Sequence, residues 1–244
     1  MIVSPNNPFE HVTPEVDYGR RYEVLWADAK ELDGSVGVPY DIYDTTDRLL
    51  QELRQYDTQL ACESLQGLPT ALTVAAAIEE FYGITVDKTA VWSAFILHDV
   101  GKRLLPHELN DKSHEGKQWT AEDVEHMDVH PILGYYIALD NGLPQIIARA
   151  IAESHGKQRG HAYGINPVLS PQELHVRNCV AIADASDAML HRTNTKNVGM
   201  SPEDRRAYVR DYINFVCEDY DNNGPALAAL IIQRTAPQLV PATV

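Results

Sequence analysis

Residues 87–102 of the chain read DKTAVWSAFILHDVGK, and they carry the clearest structural signal in the sequence. Asp87 is a typical helix N-cap residue, and the apolar residues after it recur with helical spacing up to His98. A histidine and an aspartate then stand side by side where the apolar run ends. The stretch predicts a buried helix whose carboxyl end carries a nitrogen ligand and a carboxylate.

Helical spacing of apolar residues continues through most of the remaining chain. Thr120 with Asp123 resembles a capping box, and the Ser-Pro pairs at 170–171 and 201–202 are typical helix starts. Pro131 should kink or split the helix in which it lies. Because we find no alternating strand pairs and no fixed repeat, the sequence predicts an all-α fold.

The first forty residues differ from the rest of the chain. They contain only one compact apolar group, at 22–26, and many residues that interrupt regular structure: Pro5, Pro8, Pro14, Gly34, Gly37 and Pro39. We therefore predict an irregular N-terminal arm over residues 1–40, packed on a helical domain over residues 41–244.

Composition narrows the class of protein and its partners. Hydrophobic residues make up 44% of the 244 and charged residues 23%, which is typical of a globular chain. Without an apolar run long enough to span a membrane, and with three widely spaced cysteines, we expect a cytoplasmic protein with buried thiols and no membrane partner. The net charge of −15 argues against extended nucleic acid as a partner but allows a small anionic ligand beside bound dications.

Three further polar residues stand in largely apolar helical contexts. His130 precedes a proline, His155 ends an apolar helix, and Asp184 lies in an almost wholly apolar segment. Taken alone, the His98-Asp99 pair is typical of a helix end followed by surface charge, and Asp184 of a capping or ion-paired acid. Taken together, the mixed histidine and aspartate set matches the ligands of Mn²⁺, Fe²⁺, Mg²⁺ or Zn²⁺.

The order of these residues resembles the HD superfamily, and the detail is similar to its HD-GYP branch over roughly residues 60–205. Residues 97–102 look like the HDxGK signature, and residues 120–134 match the T-x-E-E and H-P-x-x-G block. Residues 182–189 are similar to the V-A-D-x-x-D-A-L helix, and residues 201–203 to the S-P-E that opens the next helix. The resemblance implies an HD-domain helical bundle with metal-dependent phosphodiesterase activity on a cyclic dinucleotide of the c-di-GMP type.

The resemblance also implies a centre of two divalent ions, which would be Fe, Mn, Zn or Mg. Asp99 would bridge the two ions, and a hydroxide between them would attack phosphorus. His98 and Asp184 would help to hold one ion, and His130 and His155 the other.

Catalytic and substrate-binding roles follow from the same resemblance. Asp99 and Lys102 are the candidate catalytic residues, and Lys102 would pair with a non-bridging phosphate oxygen. Arg159 and Tyr163 lie where the branch has its G-Y-P loop, of which this chain keeps one glycine and the tyrosine, and they are candidate substrate contacts.

The chain departs from the branch at positions that bear on catalysis. Gly67 stands where the branch has an upstream histidine, which leaves one ion short of a ligand unless Glu63 or water supplies it. Three-metal members carry an extra glutamate at the position of Glu63, so we include it among the candidate ligands. The arginine-rich segment after the aspartate helix is replaced at residues 192–197.

Other functions stay open at this point. A degenerate member could bind a ligand or a signalling partner protein without catalysis, and an HD phosphohydrolase could act on other nucleotides. Some HD proteins use two irons to activate oxygen, although Lys102 and the HD-GYP-like blocks argue against that reading. The expected substrate is a small anionic nucleotide, and a homodimer is compatible with the sequence.

Overall fold

The computed structural model describes residues 16–114, 117–155, 169–190 and 199–235, and within these ranges it contains helices and no β-strand. The α-helices are α1 Tyr18–Val36, α2 Tyr40–Tyr56, α3 Thr58–Gln66, α4 Leu68–Tyr82, α5 Lys88–Leu97, α6 His107–His114, α7 Ala121–Met127, α8 His130–Asp140, α9 Gln145–Ala152, α10 Pro171–Leu190, α11 Pro202–Cys217 and α12 Gly224–Thr235. Short 3-10 helices span Val100–Leu104 and Glu218–Asn223. The all-α class is confirmed. No helix in the described ranges has both the length and the hydrophobicity to cross a membrane.

Helix α5 lies in the middle of the bundle. Asp87 accepts a hydrogen bond from the Ala90 amide at 2.9 Å, as its position before the apolar run predicted. Every residue of α5 from Ala90 onward is buried, and the helix packs against α2, α4, α9 and α10. Because α5 is surrounded, the His98-Asp99 pair at its end lies inside the molecule. The three cysteines are also buried, as expected.

Gly101 allows the segment after Asp99 to pack directly on the start of α8. A Cβ atom at position 101 would lie 1.9 Å from the His130 carbonyl oxygen and 2.7 Å from the Gly134 nitrogen. These are backbone atoms, which cannot move aside as the end of a flexible side chain can. The missing side chain at 101 therefore lets the His98-Asp99 pair approach His130.

The helix boundaries around the predicted site follow the local signals in the sequence. The Thr120 hydroxyl accepts from the Asp123 amide and the Asp123 carboxylate from the Thr120 amide, so the capping box of α7 is present. Helix α7 ends at Met127, and α8 starts at His130 with Pro131 in its first turn. The split predicted at Pro131 is thus confirmed, and it places His130 at a helix N-terminus.

The predicted irregular arm is wrong for residues 18–36, because they form the long helix α1. The Asp17 side chain caps its first turn, and Gly37 ends it with a φ of 76°. Tyr22 and Trp26 are buried in the main core, which also includes side chains from α4, α5 and α10. Burial of one helical face thus outweighs the scattered glycines and prolines that suggested a loop.

The interrupting residues that the structure describes lie where a helix tolerates them. Gly34 is on the exposed side of α1, and Pro39 stands between α1 and α2. Residues 1–15, which hold the other three prolines, lie outside the described ranges. The division of the chain into residues 1–40 and 41–244 stays a prediction.

Candidate metal centre

His98 is oriented by a backbone carbonyl of its own helix. Its Nδ1 atom donates to the Phe95 oxygen at 2.6 Å, which turns Nε2 towards the centre. That Nε2 atom lies 3.5 Å from Asp99 Oδ2 and 3.3 Å from Asp184 Oδ1. A histidine that donates through one nitrogen and presents the other to carboxylates has the arrangement of a typical metal ligand.

His130 is held in the same way at the start of α8. Its Nδ1 atom donates to the Met127 carbonyl oxygen at 2.5 Å, and its Nε2 atom lies 3.2 Å from Asp99 Oδ1. Burial lowers the pKa of His130 to about 4, although the hydrogen bond with Asp99 acts in the opposite direction. The ring is therefore neutral at pH 7, which is the form that binds metals.

His155 follows the end of α9 and completes the group. Its Nδ1 atom donates to Asp184 Oδ2 at 2.9 Å, and its Nε2 atom lies 2.8 Å from Nε2 of His130. In both rings Nδ1 has a hydrogen-bond acceptor of its own, so the two Nε2 atoms face each other at that distance. Such an approach requires a cation or an additional proton between the nitrogens.

The geometry and the chemistry of these donors fit a divalent metal. Ligand atoms of Asp99, His130 and His155 all lie within 4.8 Å of one another. The two oxygens of Asp99 point in different directions, Oδ1 towards His130 and His155 and Oδ2 towards His98. A carboxylate placed in this way can bridge two ions, and its histidine neighbours offer the borderline nitrogen ligands that such ions prefer.

Both carboxylates of the group are ionised. Burial on its own would raise the pKa of Asp99, but Lys102 and His98 hold that pKa well below its usual range. The pKa of Asp184 is likewise lowered against the effect of burial, in its case by His155 and His98. The centre therefore presents two anionic carboxylates beside three histidine rings, a set of ligands that suits a cation.

A family model described as the HD domain matches residues 70–189. The chain carries an HD domain. Among solved structures, the HD domain of the phosphodiesterase PgpH from L. monocytogenes, in complex with cyclic-di-AMP, is similar with a TM-score of 0.53 and 16% identity. The similarity covers 79% of this chain and 95% of that chain, and at this identity it shows the fold alone. No curated protein matches the chain.

The family match confirms the resemblance to the HD superfamily, whose members include metal-dependent phosphohydrolases. The structure brings together His98, Asp99, His130, His155 and Asp184, the five residues that the sequence proposed as principal ligands. Their assignment to particular ions stays a prediction, as does the HD-GYP branch.

Lys102 lies at the edge of the HD-domain centre. Its ammonium group donates to Asp99 Oδ2 at 2.7 Å, and its side chain is 14% exposed. The short 3-10 helix after Asp99 places it there, three residues along the chain. This position beside the centre is compatible with the predicted contact to a phosphate oxygen.

Glu63 lies in α3 and Gly67 follows it as the C-cap residue, both before the residues that the HD-domain model matches. Glu63 accepts from the Gln59 amide at 3.0 Å and lies 3.7 Å from Nε2 of His114, and it is not part of the group defined by Asp99, His130 and His155. Its role as a ligand stays a prediction.

The position of the missing upstream histidine is filled by another side chain. A Cβ atom on Gly67 would lie 2.6 Å from Phe95 Cζ and 3.3 Å from the Asp187 Cβ. The Phe95 ring, in turn, lies 5.1 Å from the ring of His98. A larger residue at position 67 would therefore collide with the side chain that packs beside His98.

Two predicted substrate contacts, Arg159 and Tyr163, lie outside the described residues, as do residues 192–197. Sequence reasoning also missed a group of buried charges next to the centre, formed by Arg149, Glu153 and Arg177. The signal that could have found them is their position in apolar helical runs, where a charged residue requires a partner.

Proposed function

We propose that this HD domain is a metal-dependent phosphodiesterase that hydrolyses a cyclic dinucleotide, with two divalent ions held by the five residues at its centre. The observation that carries the proposal is the 2.8 Å approach of two Nε2 atoms, from His130 and His155, beside an oxygen of Asp99. Their Nδ1 atoms already have hydrogen-bond acceptors of their own, and a cation bound by both Nε2 atoms would satisfy this contact.

Each ligand has a defined part in this proposal. His98 and Asp184 would hold one ion, His130 and His155 would hold the other, and Asp99 would supply a carboxylate ligand beside both. Bound metals lower the pKa of a water molecule to near neutrality and neutralise charge that develops on phosphate oxygens. The carbonyl contacts of His98 and His130 keep their rings oriented throughout, so the ligands do not reorganise during the reaction.

Lys102 takes part through its charge. It pairs with Asp99 in the structure, at 2.7 Å. With ions bound to that carboxylate, the ammonium group would be available to pair with a non-bridging oxygen of the substrate phosphate. The lysine thereby orients the phosphorus and balances its negative charge.

The charge of the molecule supports a small substrate. A net charge of −15 disfavours the phosphate backbone of extended nucleic acid, whereas a cationic centre in an acidic protein still accepts a compact anion. The HD-GYP-like blocks favour c-di-GMP, and the solved HD domain with the similar fold contains cyclic-di-AMP. We assign Arg159 and Tyr163 to contacts with this ligand.

A hydrolysis panel tests the proposal. Purified protein with Mn²⁺ or Fe²⁺ is incubated with c-di-GMP, cyclic-di-AMP, linear dinucleotides and nucleoside phosphates, and products are separated by chromatography. We expect a linear dinucleotide or mononucleotides from a cyclic dinucleotide, and no product from Asp99→Asn or after chelation. Turnover of nucleoside phosphates alone would instead indicate an HD phosphohydrolase for other nucleotides.

One observation favours a second function, a binding protein without catalysis. Phe95 fills the space beside Gly67 where the branch has a histidine, and this removes one ligand. A protein that binds Mn²⁺ and a cyclic dinucleotide but releases no product would support this alternative. Calorimetric titration with c-di-GMP, at the protein concentration of the hydrolysis panel, separates the binding protein from the phosphodiesterase.

A further inference from the structure

Two buried arginines join α9 to α10, outside the predicted ligand set. Arg149 Nη1 lies 2.9 Å from Glu173 Oε1. Arg177 Nη1 lies 3.8 Å from Glu153 Oε2, and its Nη2 atom contacts Asp219 on the 3-10 helix after α11. Arg149 and Arg177 are only 6% and 4% exposed. Charges buried to this degree persist only when they are paired, so each ion pair fixes the elements that carry it.

The turn after α9 contains both an anchored acid and a predicted metal ligand. Helix α9 ends at Ala152, Glu153 is its C-cap residue, and His155 lies two residues further on. Beyond the last helical residue, the helix itself no longer fixes the direction of a side chain. The ring of His155 is nevertheless placed between Asp184 and His130.

Helix α10 holds this turn at two points. Arg177 and Asp184 are seven residues apart in α10, which is about two helical turns, so they lie on the same face. Arg177 contacts Glu153 on that face, and Asp184 accepts from His155 at 2.9 Å. Of these two attachments, the one between Asp184 and His155 joins two predicted ligands, whereas the ion pair between Arg177 and Glu153 involves none.

We propose that Arg177 is a positioning residue of the metal centre, which holds Glu153 and thereby fixes the turn that presents His155. Its guanidinium group donates a hydrogen bond to Asp219 and forms a longer ion pair, at 3.8 Å, with Glu153 at the end of α9, so one buried cation lies between the two carboxylates. This proposal rests on the proposed function only in requiring that the centre binds a metal.

The affinity of the protein for Mn²⁺ alone tests this role. Isothermal titration is carried out on wild type, Arg177→Gln and Glu153→Gln, each shown to be folded by circular dichroism. We expect the Kd for Mn²⁺ to rise about 10- to 100-fold in both variants, the range seen when residues that orient metal ligands are removed. Glu153→Gln leaves Arg177 paired with Asp219, so it serves as the test if Arg177→Gln does not fold.

Arg149→Gln is the matched control. It removes an equally buried arginine between the same two helices, but its partner Glu173 lies in the first turn of α10 and not in the turn with His155. If Arg177 has only a structural role, both arginine variants lose stability, and the Kd for Mn²⁺ rises by a similar factor in each. The positioning role predicts a Kd within about threefold of wild type for Arg149→Gln.

A double variant tests whether Arg177 acts through Glu153. If it does, Arg177→Gln combined with Glu153→Gln binds Mn²⁺ no more weakly than Arg177→Gln. An unchanged Kd in both single variants, or an equal loss in Arg149→Gln, would overturn the inference while leaving the proposed function intact. Failure of wild type to bind Mn²⁺ would overturn both.

Discussion

A single methyl group at position 101 would collide with the backbone of α8. The added Cβ atom would lie 1.9 Å from the His130 carbonyl oxygen, so one of the two segments would have to move. We expect Gly101→Ala to lower the free energy of unfolding by about 3 kcal/mol, the upper part of the range for overpacked sites. Urea denaturation followed by circular dichroism measures this loss.

Gly34 supplies the control for that substitution. It lies inside α1, where a Cβ atom would meet nothing within 4 Å. Alanine favours a helix over glycine by about 1 kcal/mol, so Gly34→Ala should stabilise the protein. If Gly101→Ala were as harmless as Gly34→Ala, close packing at 101 would not position His130.

The residues that the structure brings together at the centre were predictable as a set, but their neighbours were not. His98, Asp99, His130, His155 and Asp184 stand out in the sequence because polar groups in apolar helices require a reason. Whether Phe95 fills the space beside a glycine, or Arg177 reaches a turn on another helix, depends on the packing of elements far apart in sequence. Such contacts leave no local pattern.

At the scale of helices, the caps are the best-predicted features. Ser201 and Asp204 form a complete capping box at the start of α11, as the sequence indicates. Caps are local, because the side chain and the amide that it satisfies are three residues apart. Helix α1 was missed for the opposite reason, since its stability comes from Tyr22 and Trp26 buried against the rest of the molecule.

Removal of the Ser201 cap provides a prediction at this scale. Ser201→Ala leaves the Asp204 amide without its acceptor, which should cost about 1 kcal/mol of stability. Because α11 contributes none of the five predicted ligands, the Kd for Mn²⁺ should not change. Urea denaturation and metal titration of the same sample measure the two quantities, and a large rise in Kd would contradict this separation.

The whole molecule should lose stability on acidification, because its interior holds a neutral histidine. Burial lowers the pKa of His130 from 6.5 to about 4. Below pH 6.5 the unfolded chain gains a proton that the folded protein does not bind, so stability falls between about pH 6.5 and pH 4. The lowered pKa values of Asp99 and Asp184 act in the same direction on further acidification.

Urea denaturation of metal-free protein at pH 7, 6, 5 and 4.5 checks this pH dependence. The lowered pKa of His130 corresponds to a loss of about 3 kcal/mol in the free energy of unfolding once the pH is below both pKa values. The free energy of unfolding should change less with pH in His130→Gln, which has no proton to gain at this position. Equal slopes for the two proteins would show that His130 is not the group responsible.

The central claim is that five side chains from distant parts of the chain form one metal centre. Titration of metal-free protein with Mn²⁺, for wild type and for Asp99→Asn, tests it most directly. Asp99 faces His98 through Oδ2 and His130 and His155 through Oδ1, and Asp99→Asn preserves its shape while removing its charge. We predict that wild type binds Mn²⁺ and that the Kd rises at least about 100-fold in Asp99→Asn. Equal affinity in the two proteins, or no binding by wild type, would contradict the claim.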